Sequence, residues 1–541
     1  MRLRLSSSFL AKIAAAGGLV LLADRLFWAG QGIGSNLGVF ALAWTAATVA
    51  LTPTLWRDRR SWIAAAGALL LVLPLLDSPG PLAVLLFGTC LAMAVLLPRA
   101  AQFGHAGRWV LRLALHGIVS AIGPWRDLIR LRKPFGRGLP RQRILPLLPL
   151  PLIGGAVFLS LFASANPVIS EALVALGTPR FDDATLGRFV FWGAILTLVW
   201  VTLRPHRLRF AAYLPAASMP SAIPGVTSGS VLLALITFNA LFALQNGLDI
   251  AFLWSGAPLP VGVTLADYAH RGAYPLIATA LLAGLFVLVA LRPGSATASV
   301  PAIRRLVVLW VAQNVFLVAS SILRTIDYIE IYSLTGLRIA ALTWMALVAL
   351  GLVLILWRML GGRSAAWLIN ANAGAALAVL AVCTVVDLGA VAASWNVRHA
   401  REVGGKGAAL DLCYLRQLGP SALTSLAALE IDNDLDGDFA ERVAWVRHRV
   451  LHDTIEGQRG GEWIWRNDRR LKQVETMLAG RRLRAGPSEG PVGRNCDGSL
   501  IPPPAPEPVP APPAEASAAT GPVPPDTLVP APAALTNEAA R

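Results

Sequence analysis

Apolar residues in this chain gather into long runs instead of alternating with polar ones at a short period. Eleven runs stand out, at 9–23, 34–52, 61–77, 81–98, 144–163, 188–203, 229–248, 273–291, 306–323, 339–357 and 366–390. A helix needs about 20 apolar residues to cross about 30 Å of hydrocarbon, and most of the runs approach that length. The loops between them alternate in charge. Met1–Leu5, Arg57–Arg60, Arg99–Arg143, Arg204–Arg209, Arg292–Arg305 and Arg358–Arg363 are basic, whereas Asp77–Pro81 and Asn166–Leu186 are near neutral. Basic loops stay cytoplasmic, so the pattern predicts an N-terminus inside and, after an odd number of spans, a C-terminus outside. The fold expected is an all-α integral membrane protein, a bundle of about 11 transmembrane helices.

Composition agrees and narrows the class. Of 541 residues, 55% are hydrophobic and 14% charged, with mean hydropathy +0.60. A soluble chain is about a quarter charged. The net charge of +16 would point a soluble protein toward nucleic acid. Here the cations sit in loops that orient spans, so no nucleic-acid partner is expected. The basic, then apolar, N-terminus has the outline of a secretory signal, but further runs follow at once and it is expected to be a retained first helix.

The runs divide the chain into a four-helix part (1–98), a basic cytoplasmic loop (99–143), a seven-helix core (144–395), an extracytoplasmic helical domain (396–498) and a tail (499–541). The basic loop carries a balance of +9. Within it Arg108, Arg112, His116 and Ser120 recur at four-residue steps among Trp109, Leu111, Leu115, Ile118 and Ile122, which predicts an amphipathic helix, either lying on anionic lipid or packed on the bundle. Helical runs are expected at 407–417, 420–430, 439–456 and 467–482. Residues 501–541 hold thirteen prolines and no periodicity, the composition of a disordered spacer.

Polar groups inside the runs are the first candidates for function. The seventh run carries Asn239 and Asn246 on one face, with Gln245 and Asp249 toward its outer end. The ninth carries Gln313 and Asn314, and the eleventh Asn370, Asn372 and Asp387. Lipid offers such groups no partner, so they face the bundle interior, as interhelical bonds or as the lining of a pathway. A second set gathers at the outer hinge after the ninth run: Arg324, Asp327, Glu330 and Arg338, opposite Asp267, His270 and Arg271. Arg324 and Asp327 stand three apart and can pair on a continued helix. The set is either a belt of interfacial anchors or a shallow binding site.

The outer domain adds three patterns. Asp432, Asp434, Asp436 and Asp438, with Gly437, match the early positions of a calcium loop, so Ca²⁺ is the cofactor this spacing would take. Val443 stands where the last ligand belongs, which favours an acidic first turn on the following helix. His448 and His452 are four apart with no glutamate at the second position, and a solvated helix face accounts for them. Cys413 and Cys496 both lie in the compartment predicted to be oxidising and are candidates for a disulfide. The chain shows no GxGxxG after a strand, no GxSxG, no phosphate loop and no CxxC, so no motif supports an enzyme.

The blocks LITFNALFALQNGLDIAFLW, YAHRGAYPLIATALLAGLF, WVAQNVFLVASSILRTIDYIEIYSLTGLRIAALTWM, WLINANA and DLCYLRQLGPSALTSLAAL resemble a bacterial group of polytopic membrane proteins. That group is catalogued only as a domain of unknown function, of the 4173 type or the related 4153 type. The resemblance implies a bacterial cytoplasmic membrane and no assigned activity. Two functions remain open. One is transport or ligand handling through the polar interior. The other is an envelope scaffold or sensor that presents its outer domain to a protein partner.

Overall fold

A computed structural model describes residues 7–29, 32–100, 102–124, 127, 155, 159, 162, 166, 168, 183–205, 227–255, 282, 300–432, 435, 437–479 and 487–503. Fifteen α-helices are present among them. In chain order the membrane part holds α1 (Ser7–Ala23), α2 (Asn36–Leu51), α3 (Arg59–Asp77), α4 (Pro81–Leu96), α5 (Ala106–Ala121), α6 (Asp183–Leu203), α7 (Ser228–Asp249), α8 (Pro301–Tyr332), α9 (Gly336–Leu360) and α10 (Ala365–Val385). The C-terminal domain, termed outer only after the side expected from the loop charges, holds α11 (Leu388–His399), α12 (Leu412–Gln417), α13 (Leu423–Asp432), α14 (Gly437–Arg459) and α15 (Trp465–Leu478). No strand occurs among the described residues, only an isolated bridge between Arg494 and Leu500.

Among the described residues, seven helices are long and apolar enough to cross a membrane: Arg59–Asp77, Pro81–Arg99, Ala184–Leu203, Ser228–Trp254, Pro301–Tyr332, Gly336–Leu360 and Ala365–Val385. Helices α1 and α2 fall on the first two expected runs but are shorter, at 17 and 16 residues. The expected runs 144–163 and 273–291 lie outside the described residues. Side chains such as Leu70, Leu85, Val190, Leu233 and Leu337 stand more than half exposed on the outside of the bundle. An apolar surface of that kind needs hydrocarbon or another protein against it.

Local signals fix the helix ends. Side chains of Asp58, Thr227, Thr335, Ser364, Asp387 and Asp411 accept a backbone N–H in the first turn of the helix each precedes. Each satisfies a donor that the helix leaves open. Pro81 and Pro301 occupy first helical positions, where a missing N–H costs nothing.

The membrane helices pack in two groups. One core gathers Ala16, Phe40, Trp44, Leu75, Phe87 and Trp200, from α1–α4 and α6. The other gathers Leu235, Val307, Trp310, Met345, Leu352 and Leu368, from α7–α10. Helix α6, which the runs assigned to the seven-helix core, therefore sides with the N-terminal group. Its Arg188 holds Asp24 at the far end of α1 by a 2.7 Å bond from Nε, while Trp192 donates to the same carboxylate at 2.8 Å.

Two sequence expectations need correcting, and a third is narrowed. The eleventh run does not continue to residue 390: α10 stops at Val385, and Asp387 caps α11 in extended backbone. The outer hinge is shorter than expected, because α8 stays helical to Tyr332 and the break is Ser333–Thr335. Ser333 takes a left-handed φ of 70°, rare for a non-glycine residue. Of its two expected settings, helix α5 takes the packed one: Trp109 is buried, while of its polar stripe Arg108 is exposed and Arg112 half-buried. His116 and Ser120 are buried and bonded at 3.1 Å, while Val110, Ile118 and Ile122 face outward.

Candidate functional site

The outer domain has its own core of Leu412, Leu415, Leu423, Leu426, Leu429, Val443, Trp445 and Val446. It sits across four ends of membrane helices. At the turn before α2, Ser35 N–H donates to the Trp463 carbonyl at 2.8 Å and its hydroxyl accepts from Trp465 N–H at 2.8 Å. Any side chain at Gly34 would collide with Trp463, so this approach requires glycine. At the end of α3, Asp77 receives Arg466 at 2.7 Å and also Arg469. At the hinge, Asn396 brackets Leu334, accepting from its N–H at 2.7 Å and donating to its carbonyl at 2.9 Å, and Tyr414 accepts from Gly336 N–H. At the end of α10, Arg466 donates to the Val385 carbonyl at 2.9 Å. These four ends therefore share one face of the bundle, and they belong to the loops that are not basic.

Asp387 is the centre of this seam. It caps Ala390, accepts from the Ser421 hydroxyl at 2.9 Å and is paired with Arg470. Burial pushes its carboxyl up, but the bonds from Arg470, Ala390 and Ser421 outweigh that and hold it below its ordinary value. Asp497 is likewise held down, by Ser499 and Arg442 against burial. A lowered carboxyl adds stability above its unfolded pKa and loses it as pH falls through the folded one. Attachment of the outer domain is therefore expected to be level at neutral pH and to weaken progressively below about pH 5. Limited proteolysis across a pH series checks this, and Asp387→Asn should be loosened already at neutral pH with a flatter profile.

The amides of the interior are split between two places. Asn239 and Gln313 meet between α7 and α8: Gln313 Nε2 donates to Asn239 Oδ1 at 2.9 Å, and Asn239 Nδ2 donates to the Leu306 carbonyl at 3.1 Å. Asn246 Nδ2 reaches the Gln313 carbonyl at 3.2 Å, and Asn314 turns back onto Trp310 within its own helix. The donors are thus satisfied, whereas Asn246 Oδ1, Gln313 Oε1 and Asn314 Oδ1 are buried with no partner among the described residues. Asn370 and Asn372 do not join them. Asn370 accepts from Ala106 N–H at 2.8 Å and donates to Gly104, which pins the start of α5 to α10. Asn372 bonds back to Leu368 and lies against Gly351 of α9.

The hinge residues separate as well. Arg324 is 6% exposed and pairs with Asp249, which is fully buried, so its partner is on α7 and not Asp327. Gln245 donates to the same carboxylate at 3.0 Å. The sequence carried one signal for this pair, an acid and a base at the outer ends of two polar-faced runs. Asp327 stands half-buried one turn further out and Glu330 is exposed. Arg338 donates to the Tyr332 carbonyl at 2.5 Å and lies 4.6 Å over the Tyr328 ring, closing the C-terminal end of α8. A cleft of about 560 Å³ opens beside the hinge, lined by Ile326, Glu330, Leu342, Trp395, His399 and Lys406. Asp267, His270 and Arg271 lie outside the described residues.

In the outer domain Asp432 ends α13 and Asp438 stands exposed in the first turn of α14. Asp434 and Asp436, and the side chain of Asp432, lie outside the described residues. His448 and His452 are exposed on α14. Cys413 and Cys496 form a disulfide across 83 positions, with Cα atoms 4.9 Å apart. The segment it tethers is further held by Arg442 and Arg494, which pair with Asp497 and Glu441.

Sequence reasoning missed Arg466, Arg469 and Arg470, although their three- and four-residue spacing puts them on one helix face. Of their partners, Asp77 looked like a loop acid and Asp387 like a polar group inside the eleventh run. No curated protein and no solved structure matches the chain. A family match does extend over residues 63–429, from the third membrane helix into α13, to the 4153 type of the two related types that the sequence resembles. The chain belongs to the family described as Domain of unknown function (DUF4153).

Proposed function

We propose that this chain is a multi-pass protein of the bacterial cytoplasmic membrane, with its N-terminus inside and residues 388–503 outside. Its work there is that of an envelope scaffold or sensor, which presents the outer domain to a protein partner. The observation that carries this reading is the seam. One compact domain grips four helix ends through Ser35, Asp77, Leu334 and Val385, so a partner bound to it acts on the whole bundle. The Cys413–Cys496 disulfide supports an oxidising location for the domain. The cleft beside Glu330, Trp395 and Lys406 is where a partner segment would touch domain and bundle together.

Transport through the interior is the second reading. It is favoured by the three amide oxygens without partners on the faces that also carry Asp249 and Arg324. Two measurements separate the readings. A reporter active only outside the cytoplasm, fused after Gly404, should be active, and activity of a cytoplasmic reporter there would overturn the orientation. Asn239→Cys and Gln313→Cys, in a background without Cys90 and Cys383, should resist a membrane-impermeant thiol reagent that labels Glu402→Cys readily. Rapid labelling of both interior sites would favour a water-filled pathway over the scaffold.

A further inference from the structure

A long apolar cleft lies between α1, α4, α5 and α6. It measures about 1140 Å³ and is walled by Ile13, Leu85, Gly88, Val190, Ala194 and Leu198. Its lining on α6 runs from Val190 to Val201, about 16 Å along the axis at the usual helical rise. Gly88 and Gly193 face open space: a Cβ at either would meet nothing within 4 Å. The cleft is therefore a slot of acyl-chain length with apolar walls, open at the side of the helices.

One end of the slot is charged. Trp200 and Asp127 line it there, and Trp200 donates to Asp127 at 3.1 Å. Arg204 follows α6, 3.4 Å from Asp127 and 4.5 Å over the ring of Phe9, another lining residue. Lys12, half-buried on α1, lies within the fields of Arg99 and Arg204. Lys12, Arg99 and Arg204, from three elements, thus stand near one another beside this end, with Arg99 donating to the Val95 carbonyl and Asp127 the carboxylate against them. Bringing like charges together costs energy, and an anion between them recovers it. This end is the face of the basic loops, where a membrane offers anionic headgroups.

We propose that this cleft binds one anionic phospholipid, an acyl chain lying in the slot and the phosphate held by Lys12, Arg99 and Arg204. The site is separate from the outer seam, and it stands or falls independently of the scaffold reading. A phosphate at this point meets guanidinium groups suited to bidentate contact and an ammonium. The chain fills a space that would otherwise hold only loosely packed surface lipid.

The test uses the full-length protein in mild detergent, probed with phosphatidylglycerol and with phosphatidylcholine of the same chain length. Native mass spectrometry should retain one phosphatidylglycerol and little phosphatidylcholine. Lys12→Gln and Arg99→Gln should each weaken retention by roughly fivefold, about the contribution of one cation near a lipid headgroup. Gly88→Leu and Gly193→Leu, which fill the slot without touching the cations, should abolish it. Equal retention of the two lipids, or retention unchanged in all four variants, would overturn the proposal. A photoreactive residue at Gly88 supplies the second measurement, on protein in native membranes. It should cross-link phospholipid; a cross-link to residues 144–163 instead would mean that the chain's own fifth run fills the slot, and the proposal would fall.

Discussion

Asp249→Ala is expected to be among the most damaging single substitutions in the membrane part. It strips the carboxylate from Arg324, which is 6% exposed. Breaking a buried pair by removing one partner costs about 3–5 kcal/mol, because the remaining charge stays desolvated. The double change Asp249→Leu with Arg324→Leu should recover much of that loss, since an apolar pair of similar volume is often neutral. Thermal unfolding in detergent distinguishes the three proteins. A single variant as stable as the parent would mean that water reaches Arg324, and the packing of α7 on α8 would then need to be looser than described.

The second large effect is expected from the disulfide. Replacing Cys413 and Cys496 by serine releases a closure of 83 positions, worth about 4.6 kcal/mol in the chain-entropy model. The measured loss should be smaller than that, because Arg442–Asp497 and Arg494–Glu441 hold the same segment without the covalent bond. Reduction should therefore lower the unfolding temperature of the outer domain and expose residues 487–503 to protease before the helices yield. Unfolding unchanged by reductant would show that the ion pairs alone fix the segment.

The membrane character of this chain was legible because it rests on a sum over many residues. Twenty apolar positions in a row have few other destinations, and the described helices fall on nine of the eleven expected runs. Ends were less legible, for local reasons. The run at 366–390 looks continuous by hydropathy, yet Asp387 can cap a new helix, and that single carboxylate breaks it. The hinge was drawn too long because Arg324, Asp327 and Glu330 look like loop residues, whereas α8 carries all three. Asn239 and Gln313, both at mid-run, were expected only to face a polar interior, and the bond between them joins two helices that the spacing does not pair. Asn370 showed no sign of its bond to Gly104, because that contact joins positions 266 apart. Partners so distant leave no trace in spacing. For the same reason the seam, where Arg466 meets Asp77 across 389 positions, could not be read at all.

That separation has a consequence for how the protein is made. Ser35 and Trp465 lie 430 positions apart. At about 5–20 residues per second, Ser35 therefore waits roughly 20–90 s for its partner to be synthesised. Asp77 waits nearly as long for Arg466. Throughout that interval the first helices stand in the bilayer with their outer ends unlatched. Residues 463–470 supply the latch, and the Cys413–Cys496 bond closes only after them. Translation halted before Trp463 would leave the turn before α2 and the end of α3 without their partners Trp465 and Arg466, so the earliest helices keep loose ends until a late stretch of the chain arrives.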